Sequence, residues 1–216
     1  MANENGKAGQ IALLMAMMEP KPEMEGEFND WYDTEHTPHR AALPGFLSAR
    51  RLICLDGWPK YLAVYDLDSL DALKTPSYLE TTYAGFSNWG KRLLTQVSGQ
   101  FRGEAVQIHP GAAEFGAGGA ASRVVFWRLA PPDRSCEDAI LSGFAALYGD
   151  NTQVAQYRVF RSDYERLTYI CLVEARVPIS MTGIDPSLFG PAASCIEAVN
   201  EYAPYSRPAK AHGIQR

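Results

Sequence analysis

The sequence predicts an α+β fold made of two tandem ferredoxin-like βαββαβ units whose antiparallel sheets pack face to face. Three observations carry this reading. Strand-like and helix-like stretches follow the order strand, helix, strand, strand, helix, strand between residues 10 and 109. The same order recurs from residue 122, after a Gly- and Ala-rich segment. YLAVYDL at 61–67 and YICLVEA at 169–175 share a tyrosine, aliphatic residues and an acid at a constant offset, and the Pro-Ser pairs at 76–77 and 186–187 fall at nearly that offset.

Each element has a local reason. Residues 10–18 are apolar enough for a buried strand, and Pro20 and Pro22 punctuate its end. From Glu23 the spacing turns helical, with Met24, Phe28, Trp31, Tyr32 and Glu35 or His36 near one face. Pro22 and the acids after it suit a helix N-terminus, whose free N–H groups favour negative charge. Pro38 is expected to end or kink this helix near Thr37. LPGF at 43–46 is a turn, FLSARRLICL alternates as a strand, DGWP turns, and KYLAVYDL returns as the hairpin partner. Residues 69–95 read as helix, interrupted near TPSY, before a last strand at about 100–109.

In the second half SRVVFWRLA (122–130) matches the first strand and CEDAILSGFAALYG (136–149) the first helix. VAQYRVFRS and RLTYICLVEARV match the hairpin, and DPSLFGPAASCIEAVN the second helical segment. The domain reading is therefore a unit at 1–109, a linker at 110–121 and a unit at 122–216. A ferredoxin-like unit covers one sheet face with its helices and leaves the other apolar. Two units in one chain bury those faces against each other.

Composition narrows the function. Hydrophobic residues make up 46% and charged residues 21% of 216, the balance of a globular protein. The formal charge is −5 with no basic run, which argues against a nucleic-acid partner. Cys54, Cys136, Cys171 and Cys195 form no CxxC pair and lie in or near apolar runs, so they read as buried free thiols in a reducing compartment. The apolar run IALLMAMM is too short to span a bilayer and lacks a cleavage pattern. A cytoplasmic protein with no membrane partner is expected.

Acid–base groups and rings concentrate in FNDWYDTEHTPHR at 28–40. Histidine is the side chain whose ordinary pKa lies closest to neutrality. Asp33 and Tyr32 precede His36 by three and four residues, which on a regular helix places all three on adjacent turns. Asp33 is then the carboxylate that orients His36, and Tyr32 shares its pocket. Trp31 serves equally as core or pocket wall, and ordinary core packing also accounts for Tyr78 and Trp89. His39 follows Pro38, so its direction cannot be read. Arg50 and Arg51 are neighbours on a strand and face opposite sides. One of them is placed to hold an anionic substrate, and the spacing does not choose which. The H-x-x-H pair formed by His36 and His39 is a weak metal signal because Pro38 lies between them, and His109 and His212 fall in a linker and a tail. No metal is assigned. The Gly-rich FGAGGA does not follow a strand–helix phosphate pattern, and no GxSxG elbow occurs.

WYDTEHTPHR, followed by LPGFLSARRL, YLAVYDL and TPSY, resembles the EthD-like branch of the dimeric α/β-barrel superfamily. The resemblance covers about residues 10–109 well, and 120–205 only by element order. It implies an α/β barrel with a ligand held between the helices and the concave sheet of one unit. It also implies a histidine near that cavity for proton transfer, and by position this is His36. Members without cofactors act on small cyclic or aromatic molecules. The second unit departs from the pattern, since its first helix has no His or Trp, so one site per chain is expected.

The expectation is therefore a cofactor-independent acid–base enzyme, of lyase or isomerase type, acting on a small cyclic or aromatic molecule in the N-terminal unit. His36, Asp33 and Tyr32 would be catalytic, with Trp31, His39, Arg50, Tyr78 and Trp89 binding substrate. No haem or other cofactor is expected. A non-catalytic ligand-binding or structural barrel and a cofactorless monooxygenase are the alternatives. Exposed sheet edges leave a homodimer open.

Overall fold

A computed structural model describes residues 10–180, 182 and 184–207. Eight antiparallel strands close into one barrel: β1 (Ala12–Pro20), β2 (Arg50–Asp56), β3 (Tyr61–Leu67), β4 (Val97–His109), β5 (Arg123–Leu129), β6 (Val154–Ser162), β7 (Thr168–Ala175) and β8 (Ile196–Pro204). Around the barrel the order is β1-β3-β2-β8-β5-β7-β6-β4. Each half thus supplies its strands in the same relative order, β4-β1-β3-β2 and β8-β5-β7-β6. The two sets join along two seams, β2 with β8 and β4 with β6. The hairpins also share a register: Arg50 pairs with Val64, and Arg158 pairs with Leu172.

Strand alternation sorts the core into three layers. Leu13, Met15 and Met17 of β1 join Leu62, Val64, Phe126, Phe160, Ile170 and Leu172 in a cluster drawn from the strands, which fills the barrel. Eight strands leave just enough room for such a filling. The opposite faces carry the helices. Outside the first half lie α1 (Glu25–Trp31), α2 (Thr37–Ala41), α3 (Pro76–Leu79) and α4 (Asn88–Leu94), with Phe28, Trp31 and Leu93 packed on Ala63, Tyr65 and Leu67. Outside the second lies α5 (Glu137–Tyr148), where Ile140 and Phe144 pack on Trp127 and Tyr169. Among the described residues no helix is long and apolar enough to cross a membrane.

The first helix does not stop at Pro38. Residues Tyr32–His36 form a π-helical turn, in which the N–H of Thr37 bonds to the carbonyl of Tyr32, five residues back. Pro38 lacks an N–H, and its ring would press on the carbonyl four residues earlier. The wide turn ahead of it relieves that clash, and α2 continues to Ala41. The second helical segment is likewise broken. It runs as a 3-10 turn at Leu70–Lys74, the short α3, another 3-10 turn and α4, because Pro76 and Gly85 interrupt the helix.

The Gly- and Ala-rich stretch between β4 and β5 is held to the barrel by hydrogen bonds. Phe115 N–H donates to Asp66 at 2.6 Å and Gly116 N–H to Glu174 at 2.7 Å. Both carboxylates also meet Arg158, at 2.7 and 3.2 Å, and all three side chains are fully buried. These are the two acids that the sequence repeat placed at equal offsets. Burial pushes the Glu174 carboxyl up, and Arg158 pulls against that rise.

Candidate functional site

A cavity of about 1250 Å³ lies outside the barrel, between the first helix and β2. One wall is the helix face Asp30, Asp33, Thr34, Thr37 and Pro38. The opposite wall is Phe46 to Leu52, and Tyr205 and Arg207 after β8 close one side. The seam between β2 and β8 brings this last segment beside the first half. The barrel's own lumen is packed, so the space belongs to the helix–sheet layer.

Arg51 anchors the cavity. It is 8% exposed and donates to Asn29 Oδ1 at 2.6 Å and Asp33 Oδ1 at 2.8 Å. Its guanidinium centre lies 4.4 Å from the ring centroids of both Tyr32 and Tyr205. The planar cation is thus stacked between two rings while its edge fixes a carboxylate, an arrangement that lysine cannot reproduce. Asp33 is one-third exposed, and its second oxygen lies 3.8 Å from Arg207. Burial raises the Tyr205 phenol, with Arg51 opposing. Arg50, the other arginine of the pair, is exposed and also lines the cavity.

The π turn redirects the expected His36–Asp33 pair. Asp33 turns to Arg51, while the His36 ring rests against Trp31 at 4.5 Å, Tyr32 at 5.0 Å and Phe86 at 5.7 Å. His36 is not among the residues lining the cavity. Its pKa is pushed down to about 3, first by burial and then by Arg40, His39 and Arg51, so the imidazole is neutral at physiological pH. Burial pushes the Tyr32 phenol up to about 12, against Arg51 and Arg40, and its hydroxyl reaches only Met18 Sδ at 3.9 Å.

The other expected residues separate. Trp31 is buried and donates to Glu35 at 2.9 Å. His39 is exposed. Trp89 lines the cavity, and its Nε1 and Thr37 Oγ1 are buried without hydrogen-bond partners. Tyr78 is buried apart from the cavity, where it accepts from Arg102 at 2.7 Å. His212 lies outside the described residues. Asn29, Tyr205 and Arg207 belong to the site but were not singled out in the sequence. Asn29 had a readable signal, since it precedes Asp33 by four residues. Tyr205 and Arg207 had none, because only barrel closure brings them here. Among the described residues no group of three or more His, Cys, Asp or Glu side chains is arranged to hold a metal ion.

No protein-family model and no curated protein matches the chain. Solved structures do. The chain is similar to an anthrone oxidase-like protein, with 13% identity, a TM-score of 0.66 and 92% of each chain covered. It is similar to a mutant chlorite dismutase from Candidatus Nitrospira defluvii at 10% identity and TM-score 0.58, with 93% of each covered. A heme-binding protein from Thermus thermophilus matches at 9% identity and TM-score 0.52, over 91% of this chain and 92% of that one. At such identities the likeness speaks for architecture alone, and the chain shares the α/β-barrel fold of these structures.

Proposed function

We propose that this chain is a cofactor-independent acid–base enzyme, of lyase or isomerase type, with one small-molecule site in the cavity beside the first helix. The observation that carries the reading is the Asp33 carboxylate, fixed by a buried, ring-stacked arginine at the wall of a large cavity. Such preorganisation is what proton abstraction needs, because the base is aimed before substrate arrives. The proposal moves the proton-transfer role from His36 to Asp33. A neutral imidazole packed among rings has neither the position nor the basicity for that role.

In this reading Asp33 takes a proton from a carbon beside a carbonyl, and the electron pair passes into an enolate. Arg207, which lines the cavity 3.8 Å from the second Asp33 oxygen, supplies positive charge toward the developing oxyanion. The proton then returns at another carbon, or the electron pair expels a leaving group at the next position. The stacked aromatic surroundings favour a cyclic or aromatic substrate. The repeated strand order, the shared hairpin register and the Asp66–Glu174 pair support an internal duplication of a ferredoxin-like unit, of the kind the EthD-like resemblance covers in its first half.

Two of the similar structures are a chlorite dismutase and a heme-binding protein, which raises haem for this chain. The donor set does not fit one. No histidine occurs between 123 and 207. The cavity of that half, about 260 Å³, is lined by Asp56, Trp127, Ile184, Pro186, Ile196, Val199 and Glu201, none of them a usual axial ligand. The larger cavity offers only the Tyr205 phenol, which burial keeps protonated.

The test is a panel of small aromatic acids and lactones, incubated with enzyme in deuterium oxide and followed by proton NMR. Wild type should exchange an acidic C–H of at least one compound, and Asp33→Asn should lose that exchange while still binding the compound. Exchange retained by Asp33→Asn refutes the assignment, and binding without any exchange favours a non-catalytic barrel. Oxygen uptake in the same mixtures would instead identify a cofactorless monooxygenase, in which dioxygen oxidises the enolate or a phenolate.

A further inference from the structure

Behind Phe46, on the inner side of the first helix, lies a second polar cluster. Arg40 is 4% exposed, yet no carboxylate pairs with it among the described residues. It donates to Thr81 Oγ1 at 2.7 Å and the Thr81 carbonyl at 3.1 Å, and its guanidinium centre lies 4.7 Å from the Tyr78 ring centroid. The Tyr78 hydroxyl is already taken by Arg102, whose charge Glu104 balances. Tyr65 on β3 meets the same Phe46 ring that stacks on Tyr78, and its hydroxyl is buried with no hydrogen-bond partner among the described residues. The cluster therefore holds one uncompensated cation and one idle hydroxyl. A buried charge without a counter-charge and a buried hydroxyl without a partner are both costly. Phe46 stacks on Tyr78 at 5.9 Å, meets Tyr65 edge-on at 5.8 Å and also walls the cavity.

We propose that Arg40 and the Tyr65 hydroxyl bind the carboxylate group of a ligand that enters from the cavity past Phe46. The inference rests on that cavity being the ligand site. One net positive charge, with a guanidinium edge and a single hydroxyl as donors, matches a monoanion with two acceptor oxygens. It matches a carboxylate better than a dianionic phosphate, which would bring a second, unbalanced charge. The ring of an aromatic acid would then lie against Phe46, which gives the substrate class as aromatic carboxylates.

Calorimetric titration with sodium benzoate, and with benzyl alcohol as the neutral counterpart, tests this. Benzoate should bind wild type more tightly than the alcohol. Tyr65→Phe, which keeps the ring and removes only the idle hydroxyl, should fold normally and lose about tenfold in benzoate affinity. Arg40→Lys keeps the charge but loses the fork and should weaken binding as well. Arg134→Gln, on the exposed surface of the other half, should leave benzoate affinity unchanged. Benzoate affinity equal in Tyr65→Phe and wild type overturns the inference and leaves the cavity reading standing. Binding of the alcohol alone does the same. Failure of both compounds to bind counts against the inference and the cavity together.

Discussion

Replacing Arg51 with methionine tests the anchor on which the site depends. Methionine keeps most of the apolar stem and removes every polar contact. Asn29, only 5% exposed, loses the donor that satisfies its carbonyl oxygen, and an unpaired buried acceptor costs about 1–3 kcal/mol. Asp33 is one-third exposed, so water replaces much of its ion pair, and that loss is discounted to about 0.2–1 kcal/mol. The two rings at 4.4 Å lose a cation–π contact each, about 0.5–1 kcal/mol apiece. Relief of the guanidinium's own desolvation offsets part of the sum. The net destabilisation should be about 2–4 kcal/mol, read by urea unfolding. In a chain of this size each kcal/mol lowers Tm by roughly 2–4 °C. Asp33→Asn should cost less than about 1 kcal/mol, since its partner keeps Asn29 and both rings. Arg51→Met within about 1 kcal/mol of wild type refutes the reasoning. So does an equal loss in Asp33→Asn, because the energy would then reside in the ion pair rather than in the buried amide and rings.

Other tests bear on single contacts. The His36 pKa of about 3 lies below its ordinary 6.5, so the unfolded chain takes up the proton first. The His36 contribution to stability should be complete above pH 6.5 and decline as pH falls from there toward 3. His36→Gln should flatten that part of the stability curve, and the His36 ring signals should not move by NMR between about pH 8 and 5. Arg158→Met strands Asp66 and Glu174 in the interior and should cost about 3–5 kcal/mol at neutral pH. The deficit should shrink in acid as the Glu174 carboxyl, pushed up by burial, takes up a proton. At Gly90 an added Cβ would sit 2.9–3.0 Å from the Trp31 indole, so Gly90→Ala should destabilise by about 1–3 kcal/mol and displace the Trp31 fluorescence maximum.

The order of strands and helices was legible as far as β7 because it rests on apolar periodicity, which the chain carries locally; residues 196–200, read as the end of a helical segment, instead open β8, where pairing with β5 and β2 overrides the local pattern. β3 and β7 lie at the centre of each half and are the two strands with every residue buried, and they share a tyrosine and an acid at a constant offset. The concentration of acid–base groups in the first helix was legible for the same reason. The direction of each group was not. A single π-helical turn at Tyr32–His36 takes Asp33 to Arg51 and leaves His36 among rings; Pro38 announces a distortion there but not which way each side chain turns. The choice between Arg50 and Arg51 needed the strand's orientation in the closed barrel. Tyr205 enters the site only because β8 pairs with β2, with Leu52 opposite Pro204.

That pairing has a consequence for how the polypeptide can be divided. A cut in the Gly- and Ala-rich connection would yield two fragments, each carrying a pair of naked sheet borders: those of β2 and β4 on one, and of β6 and β8 on the other. Each fragment could satisfy its borders by docking onto the other, or onto a second molecule of its own kind. The intact chain has both partners tethered, at an effective concentration no separate subunit could match.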